Sequence, residues 1–341
     1  MRRWRAAAGF AVAVAVVALF VYGVGWDEVL ENIQDAHPGA LAGAFLTGLA
    51  MLAFRAGVVK RLLDPIDGAA RGRGFVSAFL SGYFARSALP WGRSTGTPVM
   101  AYLLATSSDS EFEDNLAVVA VGEAFNFFAS LVVAGVGFGM LALTVGTTET
   151  VTTSIAVASG STVLAVGIFI VALNRGLART LSLSLASWIE SIVEKLPRVP
   201  TIEGTLTDRI DGFFRTLEVL QASRRTLAVA IAIAIVGWVF NALPLYFSLL
   251  ALGVDTPVAV ALLCAPLASL GGIVPLPGGT GGIEVVLASL LVGVVGIAGD
   301  TATAAAILYR VTTYWLHLGI GGIAAIHLTI SGPKGTWMEE Y

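Results

Sequence analysis

Charge is scarce in this 341-residue chain: Asp, Glu, Lys and Arg make up 13%, against 56% hydrophobic residues. Soluble domains carry roughly 25% charged residues, so a water-soluble globule is excluded and a polytopic membrane protein is expected. The one cysteine, Cys264, lies in an apolar segment, which excludes a disulfide framework and a thiolate metal site. Three histidines (His37, His317, His327) show neither HExxH nor Cys/His spacing. No basic patch interleaves with aromatics and the net charge is −3, so no nucleic-acid partner is expected. No nucleophile–base set, paired carboxylates or metal cluster stands out. Neither catalysis nor a cofactor is expected.

Long apolar runs are what the chain has instead. Six of them approach the roughly 20 residues that a bilayer requires: Ala6–Gly25, Gly39–Val59, Asn115–Leu143, Val151–Leu173, Thr226–Leu252 and Ala302–Ile330. The first follows Arg2-Arg3-Trp4-Arg5. It is too long for a signal-peptide core and has no clean small-residue cleavage site before Trp26, so a retained span is expected.

Two further apolar stretches are interrupted. Phe75–Ala105 is broken at Pro90-Trp91-Gly92-Arg93 and again at Gly96-Thr97-Pro98. Pro257–Ala298 is broken at Pro275 to Gly282, where two prolines and four glycines precede Glu284. Such sequence does not continue a regular helix. Open backbone at membrane depth survives only inside protein or beside a water-filled cavity. Both stretches read as hairpins that enter and leave by one face.

The distribution of basic residues supports that reading. With six spans and two hairpins, the N-terminus, Lys60–Arg73, Asn174–Arg225 and the C-terminus are cytoplasmic. They hold 3, 4, 8 and 1 basic residues, 16 of the 20 in the chain. The external loops hold none and carry Asp27, Glu28, Glu31, Asp35, Glu149, Asp255 and Asp300. A single crossing at Phe75–Ala105 would put the loop with eight basic residues outside.

The expected fold is therefore all-α, with six full transmembrane helices plus two re-entrant helical hairpins. Residues 1–145 form a first membrane repeat with its hairpin at 75–105. Residues 146–341 form a second, with its hairpin at 257–298 and a cytoplasmic amphipathic insert at 174–225. Three spans per unit make the repeats inverted. Pro277 follows Pro90 by 187 positions, and Arg310 follows Glu123 by the same 187. Leu30-Glu31 and Gln34 match Leu217-Glu218 and Gln221 at that offset, and Phe54-Arg55 matches Phe240-Asn241 at 186.

Charges inside spans are costly and mark interior sites. Glu123 lies in span three and Arg310 in span six. Two arrangements stay open: either they pair, or Arg310 meets an anionic substrate group while Glu123 pairs elsewhere. Glu284 follows Gly281-Gly282 at a helix start, where free N–H groups favour anions, or else it caps its own helix. Arg93 between glycines, with Arg86 a turn or two earlier, suits bidentate phosphate binding. Arg55 sits near its span's end, where snorkelling is expected. Tyr309, Tyr314 and Trp315 are candidates to line a cavity. Packing or interfacial roles, rather than a proton relay, are expected for His317 and His327.

The chain resembles the transmembrane (flippase) region of the lysylphosphatidylglycerol synthase family and its stand-alone relatives. The resemblance lies in Gly82-Tyr83-Phe84 leading to Pro90-x-Gly92-Arg93-x-x-Gly96, then Glu123. It continues in Pro277-Gly278-Gly279-x-Gly281-x-x-Glu284 and in Tyr309-Arg310 with Tyr314-Trp315. It implies a protein with re-entrant helices that moves a lipid between leaflets, as a homodimer; with the charges at membrane depth, the expected substrate is a lipid with an anionic, phosphate-bearing headgroup and the expected location the cytoplasmic membrane. Arg93, Glu123, Pro277, Gly278, Gly279, Gly281, Glu284, Arg310, Tyr309 and Tyr314 would form the substrate site. Charges of the family pattern are absent: Thr97 to Met100 replace an acidic residue and an arginine, and Ala124 replaces an arginine. The headgroup is thus left open, and lysyl transfer is not expected of this chain. The alternative function is a non-transporting scaffold or regulator of a lipid- or glycan-modifying enzyme.

Overall fold

The computed structural model describes residues 26–90, 92–145, 205–273 and 276–331, and all their regular structure is helical. The helices are α1 (Trp26–Gln34), α2 (Pro38–Leu62), α3 (Gly72–Ala88), α4 (Gly92–Thr106), α5 (Phe112–Val145) and α6 (Thr205–Ala222). Then come α7 (Arg224–Ala251), α8 (Val258–Ala268), α9 (Gly282–Val295), α10 (Gly299–Arg310) and α11 (Leu316–Ser331). Short 3-10 turns at Ser269–Ile273 and Pro277–Gly279 lie between α8 and α9, and a π-helical turn, Val311–Trp315, joins α10 to α11.

Among the described residues, five segments are long and apolar enough to cross a membrane: Pro38–Leu62, Phe112–Leu143, Arg224–Ala251, Pro277–Val295 and Gly299–Ile330. Four of them coincide with expected spans. The expected spans Ala6–Gly25 and Val151–Leu173 lie outside the described residues. The fifth segment, Pro277–Val295, is the second half of the expected second hairpin, and only its last 14 residues, α9, are α-helical.

Helices α2 and α7 form the centre of the bundle. Pro38 in the first turn of α2 and a His37 Nδ1 bond from the Ala40 N–H at 3.4 Å set where that helix starts. Small residues let the two backbones approach, as expected without a hydrophobic drive in lipid: Gly43 faces Phe247, and Gly237 faces Phe54.

Helices α3, which ends at Ala88, and α4, which starts at Gly92, pack against each other. A Cβ on Gly96 would overlap the Arg86 backbone, so only glycine permits this crossing. The expected second break at Gly96-Thr97-Pro98 does not occur. Helix α4 runs through Pro98, which is exposed. One missing N–H is a tolerable loss in a helix pressed this closely against its neighbour.

Three backbone and side-chain bonds fix how the ends of the elements group. Asp109 N–H, after α4, donates to the Gly68 carbonyl before α3 at 3.0 Å. His37 N–H, before α2, donates to the Ala251 carbonyl at the end of α7 at 2.7 Å. Asn32 Nδ2 donates to Asp300 Oδ2, at the start of α10, at 3.2 Å. Within the amphipathic insert only α6 and its flanks are described. It lies along the start of α5, where Arg209 pairs with Glu113 at 2.7 Å and the Thr216 hydroxyl donates to Asp114.

Candidate functional site

The last long segment carries the centre of the site. Its π-helical turn places one extra residue in the turn after Arg310, a distortion frequent at functional sites. The turn fits because α2 has Gly48 opposite the Thr312 carbonyl, where a Cβ would collide. His317 Nε2–H donates to the Gly48 carbonyl at 2.8 Å and pins the same place. His317 is fully buried, edge-on to Tyr83, and has the packing role expected of it. His327 is exposed.

Arg310 and Glu284 are only 6% and 7% exposed. Arg310 Nε donates to Glu284 Oε1 at 2.9 Å, and its Nη2 donates to the Gly278 carbonyl at 2.8 Å. Glu284 Oε2 meanwhile accepts the Gly281 N–H at 2.8 Å. Of the two readings open for Glu284, the geometry gives the cap: its own carboxylate takes the Gly281 N–H, and it holds Arg310 as well. The bent backbone is part of the arrangement. Gly278 has φ +60°, a region side chains avoid, and a Cβ there would overlap the Tyr314 ring. That ring lies under the Arg310 guanidinium, 4.2 Å from its centroid, and the Tyr314 hydroxyl donates to the Ser87 carbonyl at 3.1 Å. Tyr314 therefore ties the end of α3 to the break before α9.

Glu123 does not pair with Arg310. Arg310 is held by Glu284, and Glu123 accepts from Arg86 of α3. Each break is thus joined to a long apolar segment by one ion pair, with the acid on the long segment in one case and the base in the other. Arg86 was singled out for phosphate binding, not as the partner of Glu123, and 37 residues of separation carry no local signal for the pairing.

A cavity of about 500 Å³ opens beside these groups. Arg310, Tyr309, Tyr314, Gly278 and Gly279 line it, as does Gly92 at the start of α4. Pro277, Gly281, Glu123 and Glu284 do not line it, although the two carboxylates hold Arg86 and Arg310, which do. Arg93 lies in the first turn of α4, but its side chain is outside the described residues. Trp315 does not line the cavity and is 50% exposed on the outer face.

Arg55 does not snorkel. Helix α2 continues to Leu62, so Arg55 is seven residues, about 10 Å, from its end. Its guanidinium turns into the cavity, with Nη2 3.5 Å from Asn241 Oδ1 and Cζ 5.5 Å from the Trp238 ring centroid. Asn241 Nδ2 donates in turn to the Tyr309 hydroxyl at 2.9 Å. Asn241 and Trp238 were not foreseen as cavity residues. The one signal was an amide in an otherwise apolar span, matched to Arg55 at offset 186.

Comparison with known proteins bears on the whole length. The family model described as the lysylphosphatidylglycerol synthase TM region matches residues 6–321. The chain belongs to that family. It is 23% identical over 321 residues to a UPF0104 membrane protein of Methanothermobacter thermautotrophicus, covering 92% of this chain and 93% of that one. A second UPF0104 membrane protein of the same organism is 26% identical over 325 residues, covering 93% and 91%. A third is 33% identical over 140 residues, covering 40% and 41%. With the apolar segments, this makes the chain an integral, multi-pass membrane protein. Coverage above nine-tenths leaves no room in the first two relatives for a sizeable soluble domain.

Proposed function

We propose that this protein is a translocase of the cell membrane that moves a phosphate-bearing lipid, phospholipid or isoprenoid-linked, between leaflets. The headgroup occupies the cavity while the hydrophobic chains stay in the bilayer. One observation carries the reading: three arginines, Arg55, Arg86 and Arg310, line a cavity inside an apolar bundle, next to two glycine-bearing helix breaks. Buried cations on broken helices are how transport sites are commonly built.

The topology goes with this. Helices α3 and α4 are 17 and 15 residues long, and α8 and α9 are 11 and 14. At about 1.5 Å per residue each falls short of a core roughly 30 Å thick. We read each pair as a re-entrant hairpin. The Asp109–Gly68 bond supports a common end for the first. The ends of α7 and the start of α10, both joined to the α1–α2 region, support a common and opposite end for the second. With the basic residues inside, the N- and C-termini face the cytoplasm, and the two units form an inverted repeat.

In this reading Arg310 and Arg93 meet the phosphate. Glu284 and Glu123 hold the cations in place or meet a basic headgroup. Tyr309 and Tyr314 wall the site, and Pro277, Gly278, Gly279 and Gly281 bring bare backbone close to the ligand. The test is scrambling of a headgroup-labelled phospholipid in proteoliposomes of the full chain. The wild type equilibrates label between leaflets, whereas Arg310→Ala and Glu284→Ala slow it by about tenfold or more, the loss of one charged hydrogen bond. Wild-type rates no faster than empty liposomes sink the function. Unchanged rates in both variants sink the site.

A further inference from the structure

The translocase reading leaves one cation unexplained, and the following inference rests on that reading and sharpens it. Arg86 and Arg310 each face a carboxylate, Glu123 and Glu284. Arg55 has no ion-pair partner among the described residues. Its neighbours are an amide oxygen at 3.5 Å and the face of Trp238. Two unfilled donors belong to residues that line the same cavity. The Trp238 Nε1–H is buried with no acceptor, although the residue lines the cavity. The Tyr309 hydroxyl accepts from Asn241, and no described group takes its own hydrogen. A buried donor without an acceptor is unfavourable, and an indole can only donate.

We infer that Arg55, Trp238 and Tyr309, positioned by Asn241, form an anion subsite for a phosphodiester carrying a single negative charge. Among the described side chains lining the cavity, one positive charge is left uncompensated, which matches one anion. A phosphodiester offers two unbridged oxygens to a guanidinium fork and to further donors. A zwitterionic headgroup brings a cation next to three arginines. A phosphomonoester brings a charge of about −1.5 to −2, more than the site neutralises.

The probes are dioctanoyl lipids added to the full chain in uncharged detergent, with binding read from the shift in thermal unfolding. They carry a glycerol phosphodiester (−1), a phosphomonoester, or a choline phosphodiester (zwitterion). The deacylated glycerol phosphodiester is a fourth, water-soluble probe. The monoanionic diester is expected to bind about tenfold or more tightly than the other two lipids, the effect of one charged hydrogen bond. Arg55→Gln should abolish that preference. Trp238→Phe keeps the ring, removes the N–H and should weaken monoanion binding about threefold to tenfold.

Equal affinity for all three lipids overturns the inference, as does an unchanged preference in both variants. If Arg55→Gln does not fold, Trp238→Phe and the lipid series on wild type still decide. Tight binding of the deacylated probe assigns the subsite to a water-soluble phosphodiester, and binding only with acyl chains assigns it to a lipid. Selective binding without scrambling leaves the subsite standing and removes the translocase reading. Scrambling without selectivity does the reverse.

Discussion

The rings of Phe54 and Phe240 rest against each other with centroids 5.0 Å apart, and the two residues stand at matched places of α2 and α7. The next pair along, Arg55 and Asn241, is also in contact. When two like units are related by a two-fold axis, equivalent residues meet each other only beside that axis. If the two units are an inverted repeat, as proposed above, their pseudo-two-fold axis passes there, next to the cavity.

This placement leads to a swap experiment. Asn241→Arg alone would put two guanidiniums in contact, a repulsion on the order of 4 kcal/mol at an effective dielectric near 20. It should lower the unfolding midpoint in detergent. Adding Arg55→Asn recreates the pair with its sides exchanged and should recover most of the loss. A double variant as unstable as the single would show that the two sites are not interchangeable.

The hairpins are tested by labelling. Cys264 is buried, so Cys264→Ala gives a quiet background. Cysteines at Asp67 and Asp109 should react with an impermeant maleimide only from the cytoplasmic face, because the adjoining backbones are bonded at Gly68 and Asp109. A cysteine at Asp255 should react only from outside. Opposite faces for positions 67 and 109 would make α3–α4 a crossing.

Much of this architecture was legible because hydropathy acts over whole segments. Four spans end within a few residues of their helices, and the proline–glycine runs beginning at Pro90 and Pro275 fall at helix breaks. The pairings were not legible, since which charge meets which depends on how helices cross. Glu123 and Arg310 stand at matched positions, and that match made their pairing plausible. In the folded chain each is held by the broken element packed on it. Arg55 is illegible for a different reason: hydropathy fades at Val59, but the helix runs on to Leu62 and leaves the side chain farther from water. Pro98 misled because proline reports a lost N–H, not the packing that compensates for it.

Gly278→Ala should be among the most damaging single-methyl changes in the chain. It demands a left-handed backbone from a residue that avoids it and drives a methyl into the Tyr314 ring. Backbone strain of about 1–3 kcal/mol adds to overpacking of about 1–3 kcal/mol. A clear fall in unfolding midpoint is expected, together with loss of scrambling. Gly293→Ala is the control, since nothing lies within 4 Å of its would-be Cβ. Equal effects of the two would remove the argument from the Gly278 contact.

The Glu284–Arg310 pair predicts a particular order of stabilities. Glu284→Ala leaves a guanidinium buried without its carboxylate and frees the Gly281 N–H, and breaking a buried pair from one side costs about 3–5 kcal/mol. Replacing both partners with apolar groups, as in Glu284→Leu with Arg310→Met, removes the stranded charge and should be less unstable than Glu284→Ala. The Arg86–Glu123 pair is more open, with side chains 14% and 26% exposed, so Glu123→Ala should cost less than Glu284→Ala. Unfolding midpoints of the four proteins in one detergent check the order. A double variant less stable than Glu284→Ala would mean that the pair contributes more than it costs to bury, and that Arg310 is held chiefly for the fold rather than kept ready for a ligand.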